Sequence, residues 1–384
     1  MDFTLTADQK ILQESVRRFI NDKVVPNARA WDREERFPHE VVKELAEMGI
    51  MGVTASVEHD GAGLGMAEMA LITEEVARGD GALALTVASH NGLCSSHIRL
   101  FGNDAQKEKY LKPLARGEKL GAWGLTEPGS GSDAAGLLTT AVRQDDGWHL
   151  NGSKIFITQG SVGDVFVVLA ATDKSKGTRG VTAFILEKGM AGFSQKPMKE
   201  KLGMRASDTA ILDFDDVVVP FDNQLGELGE GFVDTLQILD RGRITIGAMS
   251  VGIGVGALQA GARYATERQQ FGKPIGEFQA IQWKLADMQT ELDAARLLVQ
   301  RAAYLCDAGR PFSKEAAMAK LFASEAAMRA ADEALQIHGG YGYTAEFPVE
   351  RFYRDAKLGT IGEGTSEIQR LVISRHILRD VATA

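Results

Sequence analysis

Between Ile244 and Ala262 the chain runs for 19 residues without a charged side chain, and five of them are glycine. Such a run can cross a membrane, or it can form a helix enclosed on every side by protein. Its centre is small residues rather than Leu or Phe, and it carries Thr245, Ser250 and Gln259. A lipid-facing span would present bulkier apolar side chains, so the run reads as a core helix and not as a membrane span. A core helix of that length needs a bundle around it. The residues downstream supply one wall. Ile281, Leu285, Met288, Leu292, Ala295, Val299, Ala302 and Cys306 recur at alternating steps of four and three, the seam of an antiparallel bundle.

The rest of the chain has a different texture. Residues 1–120 read as helices and loops, beginning with Thr6 as an N-cap ahead of Ile11, Val16, Phe19 and Ile20 on one helical face. The Gly-rich loop DGAGLG near residue 60 is a turn, because no strand leads into it. From residue 121 the pattern becomes extended. GWHLNGSKIFIT, DVFVVLAATD, GVTAFILEKG and TAILDFDDVVVP are β-rich runs bounded by Gly, Asp and Pro, which makes 121–227 a β domain. Asn151-Gly152 is expected to turn a hairpin there, which also explains its match to a glycosylation acceptor. Residues 228–384 are helical again. Helices, then strands, then helices describe an all-α, all-β, all-α arrangement.

At 384 residues, with 44% hydrophobic and 25% charged side chains, the chain can bury two or three cores. A net charge of −9 and a pI near 5.4 speak against a nucleic-acid surface. An anionic ligand would need local Arg, Lys or helix N-termini. Cys94 and Cys306 have neither metal nor redox spacing, which suits a reducing compartment. The opening MDFTLTADQK is neither a signal nor a transit peptide. The cytoplasm of a bacterium is therefore expected, or the mitochondrial matrix if a transit peptide has been removed.

Several motifs fail on context. Gly252, Gly254, Gly256 and Ala257 fit a loose dinucleotide fingerprint, but they lie within the helical run, where small residues allow close packing. His39-Glu40 opens like a zinc-protease helix without its second His, and no metal site is expected. No nucleophile elbow or Walker loop is present.

Four polar, Gly-rich stations remain. AWGLTEPGSGSD (122–133) combines the hydroxyls of Thr126, Ser130 and Ser132 with Gly129 and Gly131, which suits a turn whose backbone approaches an anion. ERQQFGKPIGEFQ (267–279) reads as a helix–turn–helix link in which Arg268 can fork a phosphate and Phe271 can stack on a ring. QIHGGYGYTAEFPVERFYRDAKL (336–358) holds a Gly-Gly-Tyr-Gly turn. GEGTSEIQR (362–370) sets a lone carboxylate, Glu363, between two glycines before the last helix.

In this order, and across essentially the whole chain from GLGMAEMALITEEVARGD to the end, these stretches resemble the acyl-CoA dehydrogenases, flavoenzymes that desaturate acyl-CoA thioesters. The resemblance implies an α+β multidomain fold: an N-terminal α-helical domain, a central β-sandwich or barrel domain and a C-terminal four-helix bundle. It implies FAD, lined by Trp123, Leu125, Thr126, Gly131 and Ser132, then by Phe156 and Thr158, where relatives often have Trp in place of Phe156. Arg268, Gln270, Phe271, Ile275 and Gln279 match residues that reach the FAD of a neighbouring subunit, as do Gln336 and Gly340. Thr365 and Glu367 match positions near the flavin. A complete site then needs at least a dimer, and the family pattern is a homotetramer. Arg243, in LDRGR, matches a residue facing CoA, and Ser132, Gly362 and Gly364 match substrate-side positions.

Glu363 matches the catalytic base. A proton α to a thioester carbonyl is weakly acidic, so its removal needs a carboxylate, a held enolate oxygen and a hydride acceptor. The resemblance assigns these to Glu363, to its own N–H with a flavin ribityl hydroxyl, and to flavin N5, with the electrons passed on to an electron-transfer flavoprotein. Burial is expected to raise the Glu363 pKa. Some relatives carry the base just before the LDRGR arginine, and here that position is Gly242. Many have Tyr before the base, where this chain has Gly362, which leaves acyl length, branching and ring content open. The alternatives within the fold are an oxidase using O₂ and a non-catalytic CoA- or flavin-binding relative.

Overall fold

The computed structural model describes residues 4–382. The N-terminal segment holds helices α1 (Ala7–Phe19), α2 (Ala28–Glu34), α3 (His39–Glu47), α4 (Met66–Gly79), α5 (Gly81–Ser89), α6 (Ser96–Phe101) and the short α7 (Asp104–Gln106) and α8 (Lys112–Ala115). Thr6 caps α1 as expected. Its hydroxyl accepts from Gln9 N at 3.2 Å while Gln9 returns to Thr6 N at 3.1 Å, a reciprocal box that satisfies two orphan donors.

The middle segment is an eight-stranded sheet of β1 (Gly121–Gly124), β2 (Thr140–Arg143), β3 (Trp148–Thr158), β4 (Val165–Ala171), β5 (Val181–Glu187), β6 (Phe193–Pro197), β7 (Thr209–Val219) and β8 (Gln224–Leu225). Its order is β6-β7-β3-β2-β4-β5-β8, with β1 parallel to β4. All seven residues of β4 are buried. Val165, Val167 and Leu169 pack on one face, and Phe166, Val168 and Ala170 on the other. Both faces are covered, so β4 reads as a continuous apolar run.

The expected hairpin at Asn151-Gly152 is not there. β3 runs straight through it, and the turn falls at 144–147, where Gln144 N donates to Gly147 O at 2.8 Å. A register shift against β7 separates Leu150 from Gly152, and Asn151 Oδ1 accepts from Asp216 N. The glycine serves close strand approach instead. With φ +145° at Gly152, a Cβ would stand 2.6 Å from Thr139 Oγ1.

The C-terminal segment contains α9 (Gly231–Glu267), the hairpin strands β9 (Gln269–Gln270) and β10 (Lys273–Pro274), then α10 (Gln279–Asp307), α11 (Ser313–His338), α12 (Val349–Gly359) and α13 (Ser366–Ala382). The link between α9 and α10 is therefore a two-stranded hairpin, not a bare turn. Phe271 and Gly272 take φ of +53° and +81°, the twist a two-residue loop needs.

The uncharged run is the buried middle of α9. Its glycines mark where neighbours come closest. A Cβ at Gly252 would stand 2.2 Å from Glu74 O on α4, and one at Gly254 would stand 2.4 Å from Leu292 Cδ2 on α10. The N- and C-terminal helices thus share one apolar core through α4, α9, α10 and α11.

Candidate active site

Glu363 lies on the turn between α12 and α13. Ile361 N and Gly362 N both donate to Leu358 O, closing α12, and Thr365 Oγ1 accepts from Ile368 N to cap α13. The chain must reverse between them, so Glu363 and Gly364 take φ of +52° and +91°. For a glutamate that conformation costs on the order of 1–3 kcal/mol and persists only where its surroundings over-determine it. They do. Gln369 Nε2 donates to Glu363 O at 3.3 Å and to Gly364 O at 2.9 Å, and Lys320 Nζ donates to Gly364 O at 2.7 Å.

This backbone turns the side chain inward, against α9. A Cβ at Gly242 would stand 1.8 Å from Glu363 Oε2 and 3.3 Å from Leu93 Cδ2. The residue as a whole is partly exposed, but Oε2 is enclosed and has no hydrogen-bond partner among the described residues. Burial pushes the carboxyl up to about 7, against the opposing pull of Lys320 and then Arg243. Arg243, one residue beyond Gly242, is buried and paired with Asp240, while its Nε also lacks a partner. Two enclosed, unpartnered polar atoms beside one glycine mark a place built for something other than protein. Gly362 leaves room on the far side, since a Cβ there would meet only Leu358, at ordinary contact distances of 3.5–3.6 Å.

Leu93 leads from this carboxylate to the second station, because it packs in the same apolar cluster as Trp123 and Leu125. The Trp123 indole is turned into that core and donates to His97 Nδ1 at 3.0 Å. Beyond it the loop 125–133 comes to the surface. Gly131 and Ser132 are exposed, Thr126 is half-buried, and a Cβ on Gly129 or Gly131 would meet no atom within 4 Å. The loop is clamped to β3. Ile155 N donates to Thr126 O at 2.9 Å, and the fully buried Lys154 donates to Leu125 O at 3.0 Å and to Glu127 Oε1 at 2.7 Å. Burial alone would raise the Glu127 carboxyl, but Lys154 and the donors from Thr139 and Leu138 hold it below the usual range. A register shift after Lys154 then lifts Phe156 into φ +62°, where its ring is 62% exposed. Thr158, at the end of β3, is half-buried.

The stretches at 267–279 and 336–340 form a separate surface. Phe271 is 94% exposed, and Arg268, Gln270 and Gln279 are exposed beside it, with Ile275 half-buried. The Arg268 guanidinium lies 5.7 Å from the Tyr341 ring, so the hairpin sits alongside the turn that carries exposed Gly340 and follows exposed Gln336. Thr365 is half-buried and Glu367 is exposed in the first turn of α13.

Sequence reasoning missed Lys154, Lys320 and Gln369. Lys320 left a signal: it stands on the alanine face of α11, with Ala316, Ala323 and Ala327 at helical spacing, where a solvated lysine has no reason to be.

Three family models match consecutive stretches. The N-terminal domain of acyl-CoA dehydrogenase matches residues 6–118, the middle domain 122–217 and the C-terminal domain 229–378. The chain belongs to the acyl-CoA dehydrogenase family. It is 47% identical over 379 residues to a short-chain specific acyl-CoA dehydrogenase of Clostridium acetobutylicum, covering 99% of this chain and 100% of that one. Among solved structures it resembles butyryl-CoA dehydrogenase from Megasphaera elsdenii, with a TM-score of 0.96 and 45% identity over 98% of this chain and 100% of that one. It also resembles a chain from work on the electron transferring flavoprotein of Acidaminococcus fermentans and flavin-based electron bifurcation, with a TM-score of 0.97 and 45% identity over 99% and 100%. This acyl-CoA dehydrogenase is accordingly an oxidoreductase with FAD as cofactor, in the helical, sheet and helical arrangement of its family.

Proposed function

We propose that this acyl-CoA dehydrogenase converts a short-chain acyl-CoA thioester to its trans-2-enoyl-CoA, with Glu363 as the base that takes the α-proton. One observation carries the reading: the Glu363 carboxylate is held by strained backbone against Gly242, with Oε2 enclosed and unpartnered. A partnered carboxylate would be a structural acid. An enclosed, unpartnered one, raised to about 7, is matched to accepting a proton near neutrality.

The residues present fit FAD. Phe156 offers an exposed ring, Gly131 and Ser132 an open backbone turn, and Thr126 a hydroxyl on backbone held by Ile155, while Trp123, Leu125 and Thr158 back them. Thr365 and Glu367 lie at the start of α13, one turn from the base. Bound there, the flavin supplies the hydride acceptor for the β-carbon. The chain's own part is the proton. Glu363 takes it and becomes the neutral acid, while the electron pair moves into the thioester carbonyl. No protein acceptor takes the Glu363 N–H among the described residues, which leaves it to donate to that carbonyl oxygen. Leu93, which packs in one apolar cluster with Trp123, stands beside Gly242 next to the carboxylate.

The relatives named short-chain specific and butyryl-CoA dehydrogenase support a short acyl group. The kinship with a chain studied with an electron transferring flavoprotein supports that partner as acceptor. The exposed set Arg268, Gln270, Phe271, Ile275, Gln279, Gln336 and Gly340 supports a second copy completing the flavin site, in a homotetramer of chains with domains 1–120, 121–227 and 228–384. We place the enzyme in a bacterial cytoplasm or the mitochondrial matrix. In the test, FAD-loaded protein is mixed anaerobically with acyl-CoAs of increasing length. Butyryl-CoA should bleach the flavin fastest, and E363Q should stay yellow and unbleached. Bleaching of E363Q at near the native rate would sink the base assignment. A maximum at long chains would sink the substrate class.

A further inference from the structure

Lys320 is a fully buried lysine without a carboxylate partner among the described residues. It sits on α11, and its Nζ makes one hydrogen bond, to the Gly364 carbonyl at 2.7 Å. Burying an ammonium in that way is costly unless something compensates. The groups that act on it come from three other elements: Glu363 on the turn and Glu367 on α13 favour its charge, and Arg243 on α9 opposes it. Arg243 already has Asp240, which also accepts from Ser313 Oγ at 3.0 Å. Glu367 is exposed to solvent. The uncompensated acid that remains is Glu363, whose Oε2 is enclosed without a partner.

We infer that Lys320 is a positioning residue for the catalytic base, tying down the backbone beside Glu363 and supplying the positive charge that keeps its carboxylate ionised. The two parts are structurally distinct. Through Gly364 O, Lys320 joins Gln369 in holding the left-handed turn that aims Glu363 at Gly242. Through its charge it opposes the burial that drives Glu363 towards its neutral form. The direction of both shifts agrees: burial lowers Lys320 to about 8 and raises Glu363 to about 7, each restrained by the other. When Glu363 takes the substrate proton its charge disappears, and Lys320 is left as a buried cation without that balancing anion.

This rests on Glu363 being the base, and the experiment separates the two. Rates of anaerobic flavin bleaching by limiting butyryl-CoA are measured across pH, per bound flavin, for native enzyme, K320M, K320Q, K320R and E363Q. Native enzyme should lose rate as pH falls through about 7. Removing the Lys320 charge raises the Glu363 pKa further, so the acid limb in K320M and K320Q should move up by on the order of one pH unit, with about a fivefold loss at pH 7 and about a tenfold loss well below it. K320R should keep the native limb. K320Q retains a donor for Gly364 O, so a limb that moves in K320M but not in K320Q would overturn the charge role. An acid limb unmoved in both neutral variants, with E363Q inactive, would overturn the inference and leave the base intact. Bleaching by E363Q would instead remove the base reading on which it stands.

Discussion

Glu363 and Gly242 have to be considered together. They lie far apart in the chain, but one carboxylate oxygen occupies the space a side chain at 242 would need. Putting Ala there should improve helix propensity by up to about 1 kcal/mol and, with Glu363 as the proposed base, still damage the enzyme, because the added methyl displaces the Glu363 carboxylate. Given the cost of misplacing a catalytic group by about 1 Å, G242A should bleach its flavin about a hundred times more slowly than native enzyme while retaining FAD. A native rate would show that the carboxylate works from another position. Gly362 behaves differently. A Cβ fits there at ordinary contact distance from Leu358, so the turn does not need that glycine.

At the level of elements, β3 does more than pair. Its register shifts place Lys154 inside and Phe156 outside, and Lys154 pins the loop that carries Thr126 and Ser132. The loop position therefore depends on a buried ion pair. K154M would leave Glu127 enclosed without its cation, at a cost of about 3–5 kcal/mol. Denaturant unfolding should show that loss, and flavin should wash out of K154M more readily on dialysis. Unchanged flavin retention would mean that the loop holds its shape without the clamp. The exposed Phe156 was legible as an aromatic in KIFIT. The bulge that exposes it was not, because a bulge depends on what the partner strand does opposite.

On the scale of the whole molecule, the two helical segments are one structure. Arg351 on α12 pairs with Asp80 at 2.8 Å, Arg296 on α10 with Glu74 at 2.9 Å, and Asp307 caps α4 by accepting from Met66 N and Ala67 N at 2.7 and 2.9 Å. A fragment of residues 1–120 would expose the α4 face that α9 covers. It should show no cooperative unfolding transition by circular dichroism; a sharp one would mean that the N-terminal segment carries its own core. By itself the sequence determined the order of helix and strand and the enclosure of α9, and it singled out Glu363 as the candidate carboxylate, because each is written in local spacing, in small residues or in a motif. The tertiary structure alone decided where the β2–β3 turn falls, which glycine gives way to the carboxylate, and which lysines stand behind the 125–133 loop and beside the Glu363 turn. Those depend on contacts between residues tens to hundreds of positions apart, and local periodicity carries no record of them.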